Sequence, residues 1–246
     1  MSVHNNTDSK DTLLLFSGGR DSFLAACLLL EQGRRVRMVT FENGAGLQPW
    51  NAQHGASRII ERYGADRANF LGVASVAGFW REFFLPYFNL TPSEVLAEYG
   101  ELTISQFHCL TCRVAMYLWS ICYARQESIT SIADGARHDQ GFVVELPEFL
   151  AAFRALLAKH SIELLLPVYD LDSDQYRKNL LLLRGFTPKV IEPQCLIGVP
   201  LRDGAPPSEA VRTAAMRFYE KAMMPKINAL LSSDYVAVLE HTATIL

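Results

Sequence analysis

The stretch Thr12-Leu13-Leu14-Leu15-Phe16 runs directly into Ser17-Gly18-Gly19-Arg20-Asp21-Ser22, and the next segment, Phe23 to Gln32, has a helical pattern closed by Gly33. A short apolar run of this size suits a strand buried on both faces, as in a parallel sheet. Two adjacent glycines open dihedral angles closed to other residues and remove side chains that would block an approaching phosphate. Backbone N–H groups at the start of the helix then face the ligand, with the positive end of the helix dipole behind them. The hydroxyls of Ser17 and Ser22 can donate to phosphate oxygens. A carboxylate in such company is repulsive to phosphate, so Asp21 either holds the magnesium ion that accompanies ATP or caps the helix. The loop lacks the Gly-Lys-[Ser/Thr] ending of a Walker A motif and the spaced glycines of a dinucleotide fingerprint.

Outward from this loop the chain alternates. Strand patterns are predicted at Arg35 to Phe41, Asn69 to Val76, Ser128 to Ala133 and Ile162 to Val168. Helical patterns are predicted at Asn51 to Tyr63, Cys112 to Arg125, Phe149 to His160, Ser173 to Arg184 and Ser208 to Leu231, the last bent near Pro225. Residues 78–107 read as irregular and aromatic-rich, a segment for hydrophobic packing or an inserted helical lid. Alternation of this kind implies a three-layer α/β fold, a doubly wound, Rossmann-like parallel sheet with ligands outside the carboxyl ends of its strands. The expected organisation is a lead-in over residues 1–11, a nucleotide-binding catalytic domain over 12–200, and a C-terminal helical extension of that domain over 201–246.

The 246 residues carry 23 Lys+Arg against 26 Asp+Glu, a net charge of −3, with 50% apolar and 20% charged residues. That balance is ordinary for a globular protein and leaves no overall basic footprint for nucleic acid. No apolar stretch reaches the ~18 residues needed to span a bilayer, and Met1 to Asp11 is polar, so no membrane association and a cytoplasmic location are expected. In that compartment five cysteines are expected as thiols, metal ligands or catalytic groups rather than disulfides. Cys27 and Cys122 fall on apolar helical faces and read as core. Cys109-Leu110-Thr111-Cys112 forms a CxxC pair, read as sitting at a helix start where the dipole favours thiolates, and Cys195 stands alone in Glu192-Pro193-Gln194-Cys195. The pair can be a zinc half-site with His108 nearby, a redox couple, or part of a metal cluster; Cys112 and Cys195 can also relay a persulfide.

The six residues 17–22 match the SGGxDS signature and resemble the PP-loop family of ATP pyrophosphatases (the adenine nucleotide alpha-hydrolase type). That family includes asparagine synthetase, GMP synthetase, 7-cyano-7-deazaguanine synthase and the tRNA thiolation enzymes. The resemblance implies that Ser17, Gly18, Gly19, Arg20, Asp21 and Ser22 cradle the pyrophosphate of ATP, that Mg2+ sits on Asp21, and that AMP is passed to a carbonyl oxygen. The order of phosphate loop, CxxC and distant cysteine is similar to the two-thiocytidine and two-thiouridine tRNA synthetases. Carried over, Cys109, Cys112 and Cys195 would ligate a [4Fe-4S] cluster with one iron open to sulfide. Gly135-Ala136-Arg137-His138-Asp139 looks like the family's second nucleotide loop, with Gly135 and Asp139 as nucleotide contacts, and Leu166-Pro167-Val168 resembles the segment ahead of the last cysteine. Phe41 lies where family members hold the adenine.

Asp139 reads equally as a magnesium or nucleotide contact or a helix cap, and Asp134 as a ribose contact or a strand end. Arg113 and Arg137 can neutralise phosphate or contact the acceptor. The expected activity is ATP-dependent sulfur transfer, with AMP and pyrophosphate formed and Asp21, Cys109, Cys112 and Cys195 as catalytic residues. The expected partners are ATP, a sulfur donor and an acceptor that is a tRNA base, a small molecule or a protein; the resemblance admits a homodimer. The alternatives are an amidating ligase like 7-cyano-7-deazaguanine synthase and a non-catalytic ATP-binding sensor.

Overall fold

A computed structural model describes residues 11–189, 194–197 and 206–232. Most of the expected lead-in, Glu192 and Pro193 beside Cys195, and the parts of 201–246 before residue 206 and after residue 232 lie outside the described residues.

The chain opens with β1 (Asp11–Leu15), then α1 (Arg20–Glu31), β2 (Arg35–Glu42), a two-residue β3 (Gly46–Leu47), α2 (Ala52–Tyr63) and β4 (Ala68–Ser75). After these come α3 (Ala77–Phe88), α4 (Pro92–Tyr99), α5 (Ile104–Gln126), β5 (Ser131–Asp134), α6 (Pro147–Ala158), β6 (Glu163–Leu165) and α7 (Asp174–Leu183). The two-residue β7 (Gln194–Cys195), α8 (Glu209–Phe218) and α9 (Met224–Ser232) complete the described elements. Five strands form one parallel sheet in the order β4-β2-β1-β5-β6. The order reverses at β1, whose Leu15 lies between Val39 of β2 and Asp134 of β5. A crevice opens at such a switch point because consecutive connections leave in opposite directions. The expected doubly wound α/β architecture is borne out.

Each face of the sheet has its own apolar layer. Leu14, Phe23, Leu24, Cys27 and Ile59 pack with Leu181 on the face covered by α1, α2 and α7. Leu13, Phe107, Val114, Phe149 and Phe153 fill the other, under α3, α5 and α6. Ala214, Phe218 and Ile227 of α8 and α9 join that second layer. Cys27 and Cys122 are both buried here, as core cysteines.

Residues 78–107 are helical rather than irregular. Thr91 and Glu94 form a reciprocal capping box at the start of α4, with Pro92 in its first turn. The aromatic residues of α3 pack on α5, with Tyr87 stacked on Phe107 at 3.7 Å between ring centroids, so the segment serves packing. The bend expected near Pro225 is a π-helical turn, Tyr219–Met223, between α8 and α9. Pro225 has no N–H with which to continue the α-helical ladder. Among the described residues no helix is long and apolar enough to cross a membrane.

Candidate active site

The loop after β1 is held shut from three sides. Ser17 Oγ accepts from the Gly19 N–H at 3.1 Å and lies 3.1 Å from Ser22 Oγ, which donates to the Gly19 carbonyl at 3.0 Å. Gly18 has φ +77°, and a Cβ there would meet Ala52 Cα, at the start of α2, at 2.7 Å. Glycine is therefore required twice over, for its left-handed backbone and for the close approach of α2. On the other flank a Cβ on Gly135, just past β5, would lie 2.9 Å from the Ser22 nitrogen. The cap residue of α1, Gly19, offers no side chain to the first-turn N–H groups, which suits a helix end that receives an anion.

Asp21 faces two guanidinium groups. Arg137 approaches it at 3.3 Å and Arg177 at 3.1 Å, and the same pair reaches Asp139 at 3.3 and 3.0 Å. Arg177 is only 1% exposed, whereas its partners are partly open to solvent, Asp21 at 20% and Asp139 at 36% of the side chain. Burial pushes the Asp21 carboxyl above its usual range, against the pull of Arg137 and Arg177. For Asp139 burial also acts upward, but the Arg177 hydrogen bond and the Arg137 charge outweigh it, and its carboxyl sits below the ordinary value. Two carboxylates paired with two guanidiniums form a net-neutral set, which offers a divalent cation no net attraction while those pairs hold. Arg20 points elsewhere, to Asp174 on α7 at 2.8 Å.

The cysteine pair is not at a helix start. Helix α5 begins at Ile104, eight residues before the expected start at Cys112, and Thr103 caps it by accepting from the Gln106 N–H. Cys109 and Cys112 thus lie in its second and third turns, where the helix dipole gives little help to a thiolate. Burial instead raises both thiols, Cys112 to about 11 and Cys109 further, with Cys112 and Cys195 adding to the shift on Cys109. Asn43 Nδ2 donates to Cys112 Sγ at 3.0 Å. Cys195 is delivered by β7, which pairs antiparallel with β3 through Gly46 opposite Cys195. Its sulfur lies 3.3 Å from His108 Nε2, and Trp80 Nε1 lies 3.3 Å from His108 Nδ1. Burial lowers the His108 pKa to about 4, which keeps the ring neutral. Among the described residues no group of three His, Cys, Asp or Glu side chains is placed to hold a single metal ion, so the zinc half-site has no completing ligands there.

A third set of polar groups lies between loop and cysteines. Arg113 is hydrogen-bonded to Asp134, which also accepts from Tyr117 Oη at 2.8 Å. Glu145 is buried nearby, with the Gln140 amide 2.7 Å from one carboxyl oxygen and 3.1 Å from the other. Burial, which outweighs the opposing charge of Arg113, raises the Glu145 pKa to about 8. Asp134 therefore anchors Arg113, and the ion pair occupies the carboxylate.

One cavity of about 300 Å³ at the switch point joins these groups. Ser17, Gly19, Asp21, Ser22, Phe41, Gly135, Cys112 and Cys195 all line it; Gly18, Arg20, Cys109 and Asp139 do not. It is also lined by Asn43, Arg113, Gln140 and Glu145. Of these, Gln140 and Glu145 had no reading in the sequence, although a glutamate inside Phe142-Val143-Val144-Glu145-Leu146 is an acid in an apolar run. Arg177 was hidden in the polar pattern of α7. His138 lies outside the cavity lining, with Nδ1 2.9 Å from the Tyr169 carbonyl.

Residues 7–142, just over half of the chain, match the model of the family described as Thiamine biosynthesis protein (ThiI). The chain belongs to the ThiI family. The PP-loop resemblance read from residues 17–22 is thereby borne out. No curated protein matches the chain. Among solved structures, this ThiI-family chain is similar to one described as a 4-thiouridine synthetase–RNA complex with bound ATP. The two are 15% identical, the match covers 96% of this chain and 54% of that one, and the TM-score is 0.57. The chain thus spans about half the length of that structure, and at this identity the likeness is one of fold. A predicted subunit of tRNA methyltransferase from Methanocaldococcus jannaschii matches at 17% identity over 73% of this chain and 90% of its own, with a TM-score of 0.38. A phosphoadenylyl-sulfate reductase from Candida auris matches at 10% identity over 71% and 73%, also at 0.38. Neither of these two bears on the function.

Proposed function

We propose that this ThiI-family chain is an ATP-dependent sulfur transferase acting on a tRNA base. One observation carries the proposal: Ser17, Gly19, Asp21 and Ser22 of the phosphate-type loop line the same cavity as Cys112 and Cys195. ATP occupies the cavity with its phosphates on the amides around Gly19 and its base toward Phe41. An acceptor carbonyl oxygen attacks the α-phosphorus, pyrophosphate leaves, and the oxygen becomes part of a good leaving group. A sulfur nucleophile then forms the C–S bond as the C–O bond breaks and AMP departs. Preorganised amide donors act where charge develops at phosphorus. Magnesium, in this scheme, arrives on the phosphates of ATP, because Asp21 and Asp139 are already engaged by Arg137 and Arg177. Asp21 then acts by fixing the loop against those arginines. The solved structure that shares the fold contains RNA and ATP, which supports a tRNA acceptor over a small molecule or a protein.

The placement of Cys112 and Cys195 supports a persulfide carried by this pair. The Cys195 persulfide is charged by a persulfide-type sulfur donor, which leaves as a thiol. The terminal sulfur of the Cys195 persulfide forms the new C–S bond. The Cys112 thiolate attacks the Cys195 sulfur of the resulting C–S–S–Cys195 linkage, the S–S bond breaks with its electrons on the sulfur kept by the acceptor, and a Cys112–Cys195 disulfide remains for an external thiol reductant to reopen. Cys109 lies one helical turn before Cys112 on α5, and the charges of Cys112 and Cys195 both act on its thiol; this supports a second reading, in which Cys109, Cys112 and Cys195 hold a [4Fe-4S] cluster. A cluster bound there would supply an iron position open to exogenous sulfide. In either reading the catalytic unit is residues 12–200, with α8 and α9 sealing its core.

The test is anaerobic purification followed by iron and sulfide analysis, and assay of AMP, pyrophosphate and thiolated tRNA. Iron-free protein that thiolates and survives Cys109→Ser establishes the persulfide pair. Iron loss and inactivity in Cys109→Ser establish the cluster. If ATP is not cleaved to AMP and pyrophosphate in the presence of tRNA and a sulfur donor, the proposal is wrong.

A further inference from the structure

Trp80, His108 and Cys195 form a line that the phosphate chemistry does not use. An indole N–H is a donor only, whereas each nitrogen of a neutral imidazole either donates or accepts. Trp80 Nε1 lies 3.3 Å from His108 Nδ1, so Nδ1 is the accepting nitrogen. The ring proton must then be on Nε2, the atom 3.3 Å from Cys195 Sγ. The ring has little freedom to turn: His108 is 1% exposed and meets both Trp80 and Phe84 edge to face, each at 5.7 Å between centroids.

We propose that His108 is a positioning residue for Cys195, a fixed N–H donor whose tautomer is set by Trp80 and which holds the sulfur toward the cavity. This inference rests on the sulfur-transfer reading for its purpose, though not for its geometry. The opposite tautomer would present a lone pair to Cys195 and make His108 a base for its thiol. The indole of Trp80, 28 residues away in the chain, closes that option. The need for such a tether follows from the support. Among the described residues Cys195 stands on a two-residue strand paired with Gly46 and Leu47, with Leu196 N–H donating to the Ala45 carbonyl just beyond, and so short a strand does little to aim a side chain. An N–H donated to sulfur also favours whatever negative charge the sulfur carries, in a thiolate or a persulfide alike.

The experiment uses the full chain labelled with ¹⁵N-histidine and long-range ¹H–¹⁵N spectra, with the His108 signals identified by their absence from His108→Gln. The expected spectrum has the proton on Nε2 and a bare Nδ1; a proton on Nδ1 overturns the proposal. Trp80→Phe keeps the ring and removes the donor, so a mixture of tautomers is expected, and an unchanged single Nε2–H tautomer would overturn the role given to Trp80. His108→Phe is expected to lower the sulfur-transfer kcat roughly tenfold, the worth of one hydrogen bond to a charged group, without raising KM for ATP. His108→Gln, which can place an amide N–H near the position of Nε2–H, is expected to recover most of that loss; equal loss in both variants would mean the imidazole is only a packing residue. Should the parent chain transfer no sulfur, the functional reading fails by itself. The tautomer spectrum and the rate of Cys195 alkylation by iodoacetamide, compared at one pH between His108→Phe and His108→Gln, still decide this proposal.

Discussion

A methyl group on Gly135 would sit 2.9 Å from the backbone nitrogen of Ser22 and 3.1 Å from its Cα. The loop after β5 therefore rests directly on the first turn of α1, backbone against backbone, and neither can shift without the other. Gly135→Ala must push the two apart at the point where the phosphates are proposed to bind. Overpacking of this kind costs about 1–3 kcal/mol of stability. ATP affinity is expected to fall at least tenfold, measured by calorimetry on protein shown to be folded. An affinity within twofold of the parent would show that the contact is not part of the nucleotide site.

Gly18 and Gly33 separate two effects. Both have positive φ, +77° and +84°, but a Cβ at Gly33 meets nothing within 4 Å whereas one at Gly18 meets Ala52 Cα at 2.7 Å. Gly33→Ala is expected to lose only the left-handed backbone term, about 1–2 kcal/mol. Gly18→Ala should lose that and a further overpacking term of about 1–3 kcal/mol. Urea titrations of the two variants give the comparison, and equal losses would show that the α2 contact relaxes freely.

Arg177 is buried and serves two part-exposed carboxylates, so its removal leaves both with less neutralisation. Water reaches both carboxylates and screens them once the partner is gone, so Arg177→Met is expected to lose about 1.5–3 kcal/mol, the worth of hydrogen bonds to charged groups. Asp139→Asn in the same background should recover part of the loss by removing one of those charges. If the single variant loses less than about 1 kcal/mol, the carboxylates have another source of neutralisation.

Glu145 gives the chain a pH dependence of definite sign. Its ordinary value is 4.5, and in the folded protein burial raises it to about 8. Between those values the folded state keeps a proton that the unfolded chain has released. Stability therefore falls as pH rises through this window, by at most about 1.4 kcal/mol per pH unit, and levels off above it. Glu145→Gln resembles the protonated carboxyl in shape, so the difference in stability between variant and parent is expected to grow in the variant's favour from about pH 5 to about pH 8. Thermal unfolding across that range tests the sign; a constant difference would show that Glu145 ionises normally.

What the sequence disclosed was whatever local chemistry decides. A run of buried-strand residues ending in Ser17-Gly18-Gly19 allows few arrangements, and its placement at the carboxyl end of a parallel strand follows from strand and helix alternation, whereas the strand order that puts the switch point at β1 does not. The start of α5 carried its own mark, since Thr103 with Gln106 three residues on is a capping pattern. That pattern was obscured because apolar residues in 78–107 do not fall on one face: Leu85, Phe88 and Leu96 are exposed while Phe79, Phe83, Phe84 and Val95 are buried. Arg177 illustrates the opposite limit: among Gln175, Tyr176 and Lys178 it looks like a solvated helix face, and only the arrival of Asp21 and Asp139 from other segments makes its burial tolerable. The meeting of Trp80, His108 and Cys195 likewise depends on three separate elements and had no local signature.

The two cavity-facing sulfurs ride on supports of unequal stiffness. Cys112 belongs to the 23-residue helix α5, whose remaining faces are locked into the core, whereas among the described residues Cys195 sits on a ladder of two pairs with one more hydrogen bond, Leu196 to Ala45, beyond it. Any stroke that brings the pair together or draws it apart must be made by the Cys195 side, with Cys112 acting as the anvil. The catalytic cycle would then leave its imprint on the amide exchange of residues 45–47 and 194–197, while α5 stays silent.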